Sequence, residues 1–282
     1  MRRISNYLLA VLALAFTAII VMAFTAKSTN GKASKNEKWK TGIALYSFNR
    51  YPFRKALSLS KESEVKFVEG FSFHNMGPDF DNKTMGGLDA SGVALVKKML
   101  KDNGLSMSSI YVSDAKNATE WKKFFDMGRE LGIKYLVCEP SKSQWNTIDS
   151  LAGIYNIKIA IHEHKKGSSI YWHPDSVLAA IKGHKNIGAC ADLGHWVRSG
   201  LDPVKCLKML DGHIIGIHLK DIDKSDHETD VDLGTGSIDY PAVVKELRRQ
   251  KFSGYAHVEC EHNMEDNQKI VKAAVQHFNT VN

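Results

Sequence analysis

Residues 157–162 read Ile-Lys-Ile-Ala-Ile-His. In a β-strand, alternation places the three isoleucines on one face, where they would pack on helices, and Ala160 and His162 on the other. Seven further short apolar runs have the same character; they lie at 41–46, 65–71, 105–112, 133–139, 187–192, 214–220 and 255–260. The pattern predicts eight strands, of which 157–162 is the fifth.

Longer segments with helical spacing separate these runs; they lie at 53–62, 92–103, 118–131, 145–155, 174–182, 202–210, 240–250 and 264–278. Eight strands alternating with eight helices predict an α/β fold, a (β/α)8 TIM barrel forming one domain over 41–282. A doubly wound open sheet is the alternative. Such a sheet usually carries a glycine-rich phosphate loop after its first strand. Here Tyr46-Ser47-Phe48-Asn49-Arg50 follows instead.

Composition supports one globular domain. The chain has 282 residues, 43% of them hydrophobic and 24% charged, which excludes disorder and coiled coil. The formal net charge is +7, but the lysines are scattered, so we expect a solvated surface and no nucleic-acid partner. Four cysteines without a CxxC pair favour buried free thiols over a disulfide scaffold.

The first residues differ from the rest. Arg2 and Arg3 precede an uncharged apolar run over 7–24, and small residues follow. This layout predicts a signal peptide over 1–26, then a flexible tether over 27–40, and an exported, periplasmic protein without membrane contact after cleavage. The run is at the lower limit for a membrane span, so an uncleaved anchor is the alternative. A homo-oligomer is left open.

Active sites of such barrels lie at the carboxyl ends of the strands. The last inward residues predicted for the second to eighth strands are Glu69, Tyr111, Glu139, His162, Asp192, His218 and Glu259. Six of these seven are acidic residues or histidines. Burying that much charge costs several kcal/mol per ion unless a metal or a counter-charge offsets it.

Four of these residues, His162, Asp192, His218 and Glu259, come from the fifth to eighth strands, so their side chains can converge. Two imidazoles and two carboxylates suit a transition-metal ion better than calcium. The sequence therefore predicts one divalent metal, with manganese, zinc, cobalt and magnesium left open.

The motifs around these residues resemble those of the sugar phosphate isomerase/epimerase family, the xylose isomerase-like TIM barrels. They are His162-Glu163-His164, Trp172-His173-Pro174, Asp192-Leu193-Gly194-His195, His218-Leu219-Lys220-Asp221, Leu233-Gly234-Thr235-Gly236 and Val258-Glu259. The resemblance covers about residues 41–278. It implies a small-molecule carbohydrate substrate and a metal bound by one residue from each of strands five to eight.

One position departs from the family pattern. Ketose epimerases of the family commonly carry Glu at the fifth-strand position, where this chain has His162. In those enzymes the fifth-strand Glu and the eighth-strand Glu act as a pair of bases. Glu259 is therefore the one base in place. Either Glu139 supplies the second carboxylate, or the reaction needs a single base.

The expected catalytic residues are Glu259, Glu139, His195 and Lys220. The resemblance implies that His195 contacts the substrate near the reacting carbon. Lys220 has the inward parity of His218 and is expected to donate to a developing oxyanion or a substrate hydroxyl. The expected substrate-binding residues are His164, Trp172, Trp196 and Glu69, the two tryptophans as platforms for a sugar face.

A metal beside carboxylates and imidazoles suits proton abstraction next to a carbonyl. Isomerisation, epimerisation and β-elimination all follow from that step. Export and the single base favour elimination on a non-phosphorylated keto-sugar or glycoside. Three alternatives remain: a glycoside hydrolase using Glu139 and Glu259, a non-catalytic sugar-binding barrel, and an apurinic endonuclease. The endonucleases place extra metal histidines where this chain has Glu69 and Tyr111.

Overall fold

The computed structural model describes residues 39–113 and 115–282. Its barrel strands are β1 (Lys40–Ala44), β2 (Phe67–Phe71), β3 (Ser106–Val112), β4 (Tyr135–Cys138), β5 (Lys158–His162), β6 (Ile187–Asp192), β7 (Ile214–Leu219) and β10 (Tyr255–Val258). All pair in parallel, and they close in the order β1-β10-β7-β6-β5-β4-β3-β2. Between β7 and β10, a small antiparallel pair consists of β8 (Asp221–Ile222) and β9 (Asp230–Val231).

Helices cover the outside of the barrel. In the described ranges they are α1 (Phe53–Glu62), α2 (Ala90–Asp102), α3 (Ala118–Leu131), α4 (Trp145–Tyr155), α5 (Pro174–Ile181), α6 (Leu193–Arg198), α7 (Pro203–Met209), α8 (Tyr240–Arg249) and α9 (Gln268–Val281). The predicted TIM barrel is confirmed, and three helices have the predicted bounds. Sequence reasoning missed α6 and the pair of β8 and β9, because both are too short to show a periodic pattern.

The inward and outward faces of the strands carry different side chains. Ile159 and Ile161 are buried in the layer between strands and helices, as predicted. Ala160 lies in a second, smaller cluster inside the barrel. Tyr135 and Tyr255 belong to that cluster and fill the lumen near the amino-terminal ends of the strands. His162, Asp192 and His218 lie nearer the carboxyl-terminal ends of the strands, where the site is.

The beginning of the barrel lies slightly earlier than predicted. The Trp39 indole donates to the carbonyl of Phe252 at 2.7 Å, and Lys40 is already in β1. The flexible tether predicted over 27–40 therefore does not include Trp39 and Lys40. Its remainder and the predicted signal peptide over 1–26 lie outside the described residues. Within the described residues, no helix has the length and apolar character that crossing a membrane requires.

The four cysteines are free and buried, as their spacing predicted.

Candidate metal centre and active site

The four predicted metal ligands meet at one end of the barrel. His162 and Asp192 end β5 and β6, His218 lies in β7, and Glu259 follows β10. Asp192 pairs in register with His218 across β6 and β7, which sets these two side chains side by side. One ligand atom from each of the four residues lies within 4.8 Å of the others, and all four residues are buried.

The distances within this group show which atoms face each other. Oδ2 of Asp192 lies 3.3 Å from Nε2 of His162 and 3.6 Å from Nδ1 of His218. Nδ1 of His218 also lies 3.0 Å from Oε2 of Glu259, yet forms no well-directed hydrogen bond there. A buried imidazole nitrogen left without such a bond, beside two carboxylate oxygens, fits the ligand set of a divalent ion.

Each of the two imidazoles is held by a carboxylate at its other nitrogen. Nε2 of His218 donates to Oε1 of Glu69 at 2.8 Å, and Oε2 of Glu69 accepts from the Ser109 hydroxyl at 2.6 Å. Nδ1 of His162 lies 3.1 Å from Oε1 of Glu139. Metal-bound histidines in proteins are typically oriented by such partners, which fix the tautomer and raise ligand basicity.

The same contacts favour protonated imidazoles as long as no cation lies between the carboxylates. Burial opposes the charged form of His162, but hydrogen bonds to Asp192 and Glu139 raise its pKa to about 9. Burial likewise opposes charge on His218, but nearby Cys190, Glu259 and Glu69 raise its pKa well above the ordinary value. A divalent ion would therefore have to displace protons from this site.

Lys220 lies beside the predicted metal ligands. Its ammonium is fully buried, 3.0 Å from Oε2 of Glu259, 3.3 Å from Oδ2 of Asp192 and 2.7 Å from Oε1 of Glu261. Burial alone would lower the pKa of Lys220, but these carboxylates raise it well above the usual value. Gly194 packs against its stem: a Cβ there would lie 2.2 Å from Cγ of Lys220. The ammonium is thus a fixed positive charge.

Glu139 is engaged by three donors. Oε1 of Glu139 accepts from the Tyr111 hydroxyl at 2.7 Å and lies 3.1 Å from Nδ1 of His162 and 3.0 Å from Nδ1 of His164. Burial favours its neutral form, but the hydrogen bonds from His162 and His164 hold its pKa well below the ordinary value. Glu139 therefore orients the two imidazoles as an ionised acceptor.

Two adjoining cavities open above the four predicted metal ligands. The inner one, about 220 Å³, reaches His162 and Glu259. The outer one, about 410 Å³, is bounded by Lys165, Arg198, Glu228 and Met264. Residues lining both are Tyr46, His164, His195 and Glu261. We call the two together the cleft.

His195 is placed by the helix that follows β6. Its backbone N–H donates to Oδ1 of Asp192 at 2.8 Å, so the predicted metal ligand Asp192 also caps α6. The His195 ring lies against that of His164, with centroids 4.2 Å apart. Both predicted substrate contacts, His195 and His164, therefore border the cleft.

An aromatic wall forms one side of the inner cavity; it consists of Tyr46, Phe71, Phe73 and Tyr111. The Phe71 and Tyr111 rings stack with centroids 5.4 Å apart, and Phe73 is 41% exposed at the rim. Sequence reasoning missed Phe71 and Phe73 as site residues. The available signal was the inward parity of Phe71, which is the true last inward residue of β2.

Three predicted substrate-binding residues lie elsewhere. Trp196 is fully buried in the core, so its expected role as a sugar platform is corrected. Trp172 is half-buried beneath the Lys166 ammonium, 4.9 Å from the ring centre, and lines neither cavity of the cleft. Glu69 is fully buried below His218, which makes it an orienting residue and not a substrate contact.

Sequence reasoning also missed a charged group at the outer cavity. Arg198 donates to Asp230 at 2.7 Å and to Glu261 at 2.9 Å. Lys165 and Glu228 form an ion pair at the same cavity. The available signal was the parity of Glu261, two residues after Glu259.

Solved structures share this fold. A protein from Parabacteroides distasonis ATCC 8503, described as a putative uncharacterized protein, is 30% identical, with 86% of this chain and 99% of that chain covered and a TM-score of 0.69. The probable 3-DHS dehydratase AsbF from Bacillus anthracis is 17% identical, with 85% and 98% covered and a TM-score of 0.65. The IolI protein with a bound zinc atom is 17% identical, with 86% and 96% covered and a TM-score of 0.69.

No curated protein matches the chain. The model of the xylose isomerase-like TIM barrel family matches residues 57–281. This match runs from within α1 to the end of α9 and includes all four residues of the candidate metal centre. The chain therefore belongs to the xylose isomerase-like TIM barrel family.

Proposed function

We propose that this protein is a divalent-metal-dependent enzyme that removes a proton next to a carbonyl group of a non-phosphorylated sugar or glycoside. The observation that supports this most is the group His162, Asp192, His218 and Glu259, whose ligand atoms lie within 4.8 Å of one another at the base of the cleft. The ion bound there would polarise a carbonyl oxygen.

The chain's own residues supply the remaining functions. Glu259 borders the inner cavity and is the proposed proton acceptor. Lys220 is fully buried and lines neither cavity, so it does not make the expected contact with the substrate; ionised and 3.0 Å from Glu259, it holds that carboxylate in place. His195 borders the same cavity and is placed to hydrogen-bond a substrate hydroxyl. The aromatic wall offers a flat apolar surface for the sugar ring, in place of Trp196.

The surroundings of Glu139 favour a one-base reaction. A second base must face the substrate, but Glu139 does not line the cleft, and its Oε1 has three donors around it. This supports β-elimination, of the keto-glycoside lyase or dehydratase type, over two-base epimerisation. Within the fold, AsbF is a structural neighbour described as a dehydratase.

The charge states of Glu139 and Glu259 count against the glycoside hydrolase alternative. A glycosidase needs one carboxylic acid that carries a proton at working pH. The hydrogen bonds from His162 and His164 hold the pKa of Glu139 low. Burial raises the pKa of Glu259, but Lys220 and His218 lower it further than burial raises it. Neither carboxyl group is then protonated near neutral pH.

The experiment is a turnover screen in D2O with sugars, 3-keto-sugars and 3-keto-glycosides, with and without chelator. We expect metal-dependent turnover, deuterium exchange at the carbon next to the carbonyl, and release of an aglycone or of water. Turnover that persists in chelator and incorporates solvent oxygen would favour a hydrolase. Ligand binding with no turnover in the presence of metal would favour a sugar-binding barrel.

Export is part of the proposal and has its own test. Mass spectrometry of the protein from its native host should find a chain that lacks residues 1–26. An intact Met1 in a membrane fraction would support the anchor instead.

A further inference from the structure

We propose that Glu261 is a specificity-determining residue, which makes the cleft select uncharged, hydroxyl-rich ligands and reject anionic ones such as sugar phosphates and sugar acids. The inference rests on the proposed carbohydrate function and narrows its substrate class. Glu261 borders both cavities of the cleft, although the sequence alone did not single it out.

Glu261 is fixed from both sides by cations. Its Oε1 accepts from Nζ of Lys220 at 2.7 Å, and its Oε2 accepts from Nη1 of Arg198 at 2.9 Å. Its backbone N–H donates to Asp230 at 2.8 Å. The side chain keeps 23% of its surface exposed. The carboxylate is therefore held in one position while its remaining lone pairs face the cleft.

The cations of the cleft are already paired. Among the described lining residues, the lysine and arginine side chains are Lys165 and Arg198. Lys165 pairs with Glu228. Arg198 donates to Glu261 and Asp230, and its Nε donates to the carbonyl of Glu228 at 2.9 Å. Each lysine and arginine in this described lining therefore already has a carboxylate partner, with which a phosphate or carboxylate ligand would have to compete.

The balance of charge has the same consequence. In the outer cavity, the carboxylates of Glu228 and Glu261 face the ammonium of Lys165 and the guanidinium of Arg198, so these four side chains carry no net positive charge to attract an anion. A sugar hydroxyl can donate to Glu261, because a hydroxyl carries a proton. A phosphate or carboxylate at neutral pH instead presents acceptor oxygens to a fixed acceptor of the same charge, and it is repelled. Glu261 therefore distinguishes the two ligand classes by hydrogen-bond polarity and by charge.

The test compares a matched ligand pair, sorbitol and sorbitol 6-phosphate, titrated into the metal-loaded full-length protein and followed by ligand-observed NMR. We expect the wild-type protein to bind sorbitol more tightly. Glu261→Gln removes one negative charge and one carboxylate partner of Arg198, so it should shift the ratio of the two dissociation constants by about tenfold toward the phosphate. Glu261→Asp keeps the charge and should keep the preference.

Glu265→Gln is the matched control, because it removes the same charge from an 83% exposed side chain outside the cleft; it should leave the ratio unchanged. A wild-type preference for the phosphate, or an unchanged ratio in Glu261→Gln, would overturn the inference and leave the proposed enzymatic function standing if sugars are turned over. Binding of neither ligand, together with no turnover of any sugar, would overturn both.

Discussion

Glu69→Gln tests whether the buried group at the base of the cleft holds a metal. Glu69 touches no predicted ligand except His218, whose Nε2 donates to it at 2.8 Å. Glutamine has nearly the same shape and can still accept from Ser109, but its neutral amide cannot raise the basicity of the imidazole. Loss of such an orienting partner typically lowers metal affinity by about 10- to 100-fold. That range corresponds to about 1.4–2.8 kcal/mol.

The assay is a competition titration of zinc between the protein and a chromophoric chelator, with circular dichroism to verify folding. Glu130→Gln is the matched control, since Glu130 is 63% exposed and lies 3.9 Å from Lys97 on the outer helices. It should leave zinc affinity unchanged. A folded Glu69→Gln protein with wild-type zinc affinity would refute the reasoning, because His218 would then not depend on Glu69 as a metal ligand does.

Four further predictions concern the same site. Asp192→Asn should abolish tight metal binding, measured by elemental analysis, while α6 stays capped and the barrel stays folded; retained metal would contradict the ligand assignment. Glu139→Gln should lower zinc affinity through His162 while turnover with saturating metal persists; abolished turnover with full metal content would restore Glu139 as a second base. Zinc affinity should rise with pH up to about 9, the pKa of His162, because the ion displaces protons from the site. The rise should be about tenfold per pH unit for each proton released. A flat profile between pH 6 and 8 would contradict proton competition. Gly194→Ala should displace Lys220, since the new Cβ would lie 2.2 Å from Cγ of Lys220. The free energy of unfolding should fall by about 1–3 kcal/mol. Unchanged thermal stability and turnover would show that Gly194 does not hold Lys220 in this way.

Much of the fold could be predicted because the deciding signal is local. Alternation within a strand and helical spacing between strands depend on residues that are close in sequence. The predicted parity correctly placed Ala160 in the lumen. The same parity selected His162, Asp192, His218 and Glu259, which the structure brings together. Asp192 and His218 are direct neighbours across the sheet, so the order of the strands alone made their approach predictable.

Depth within the barrel could not be predicted in the same way. The sequence predicts Glu69 as the last inward residue of the strand over 65–71, although Phe71 has the same parity. β2 ends at Phe71 as predicted, but the register between β2 and β3 shifts at Val68 and Glu69. Glu69 therefore lies below His218, and Phe71 takes the place at the cleft. A residue's level in a barrel depends on the stagger between neighbouring strands, which no single run of sequence contains.

The sequence by itself determined the α/β barrel, the face of each strand and the four residues of the candidate metal centre, because periodicity and residue type are properties of the chain. Only the tertiary structure decided which side chains border the cleft. It buried Trp196 in the core, built the aromatic wall around Phe71 and Phe73, and fixed Glu261 between Arg198 and Lys220. These outcomes depend on packing between segments that are far apart in the chain. The burial and the ion pairs of a side chain depend on these distant residues, which the local sequence pattern cannot identify.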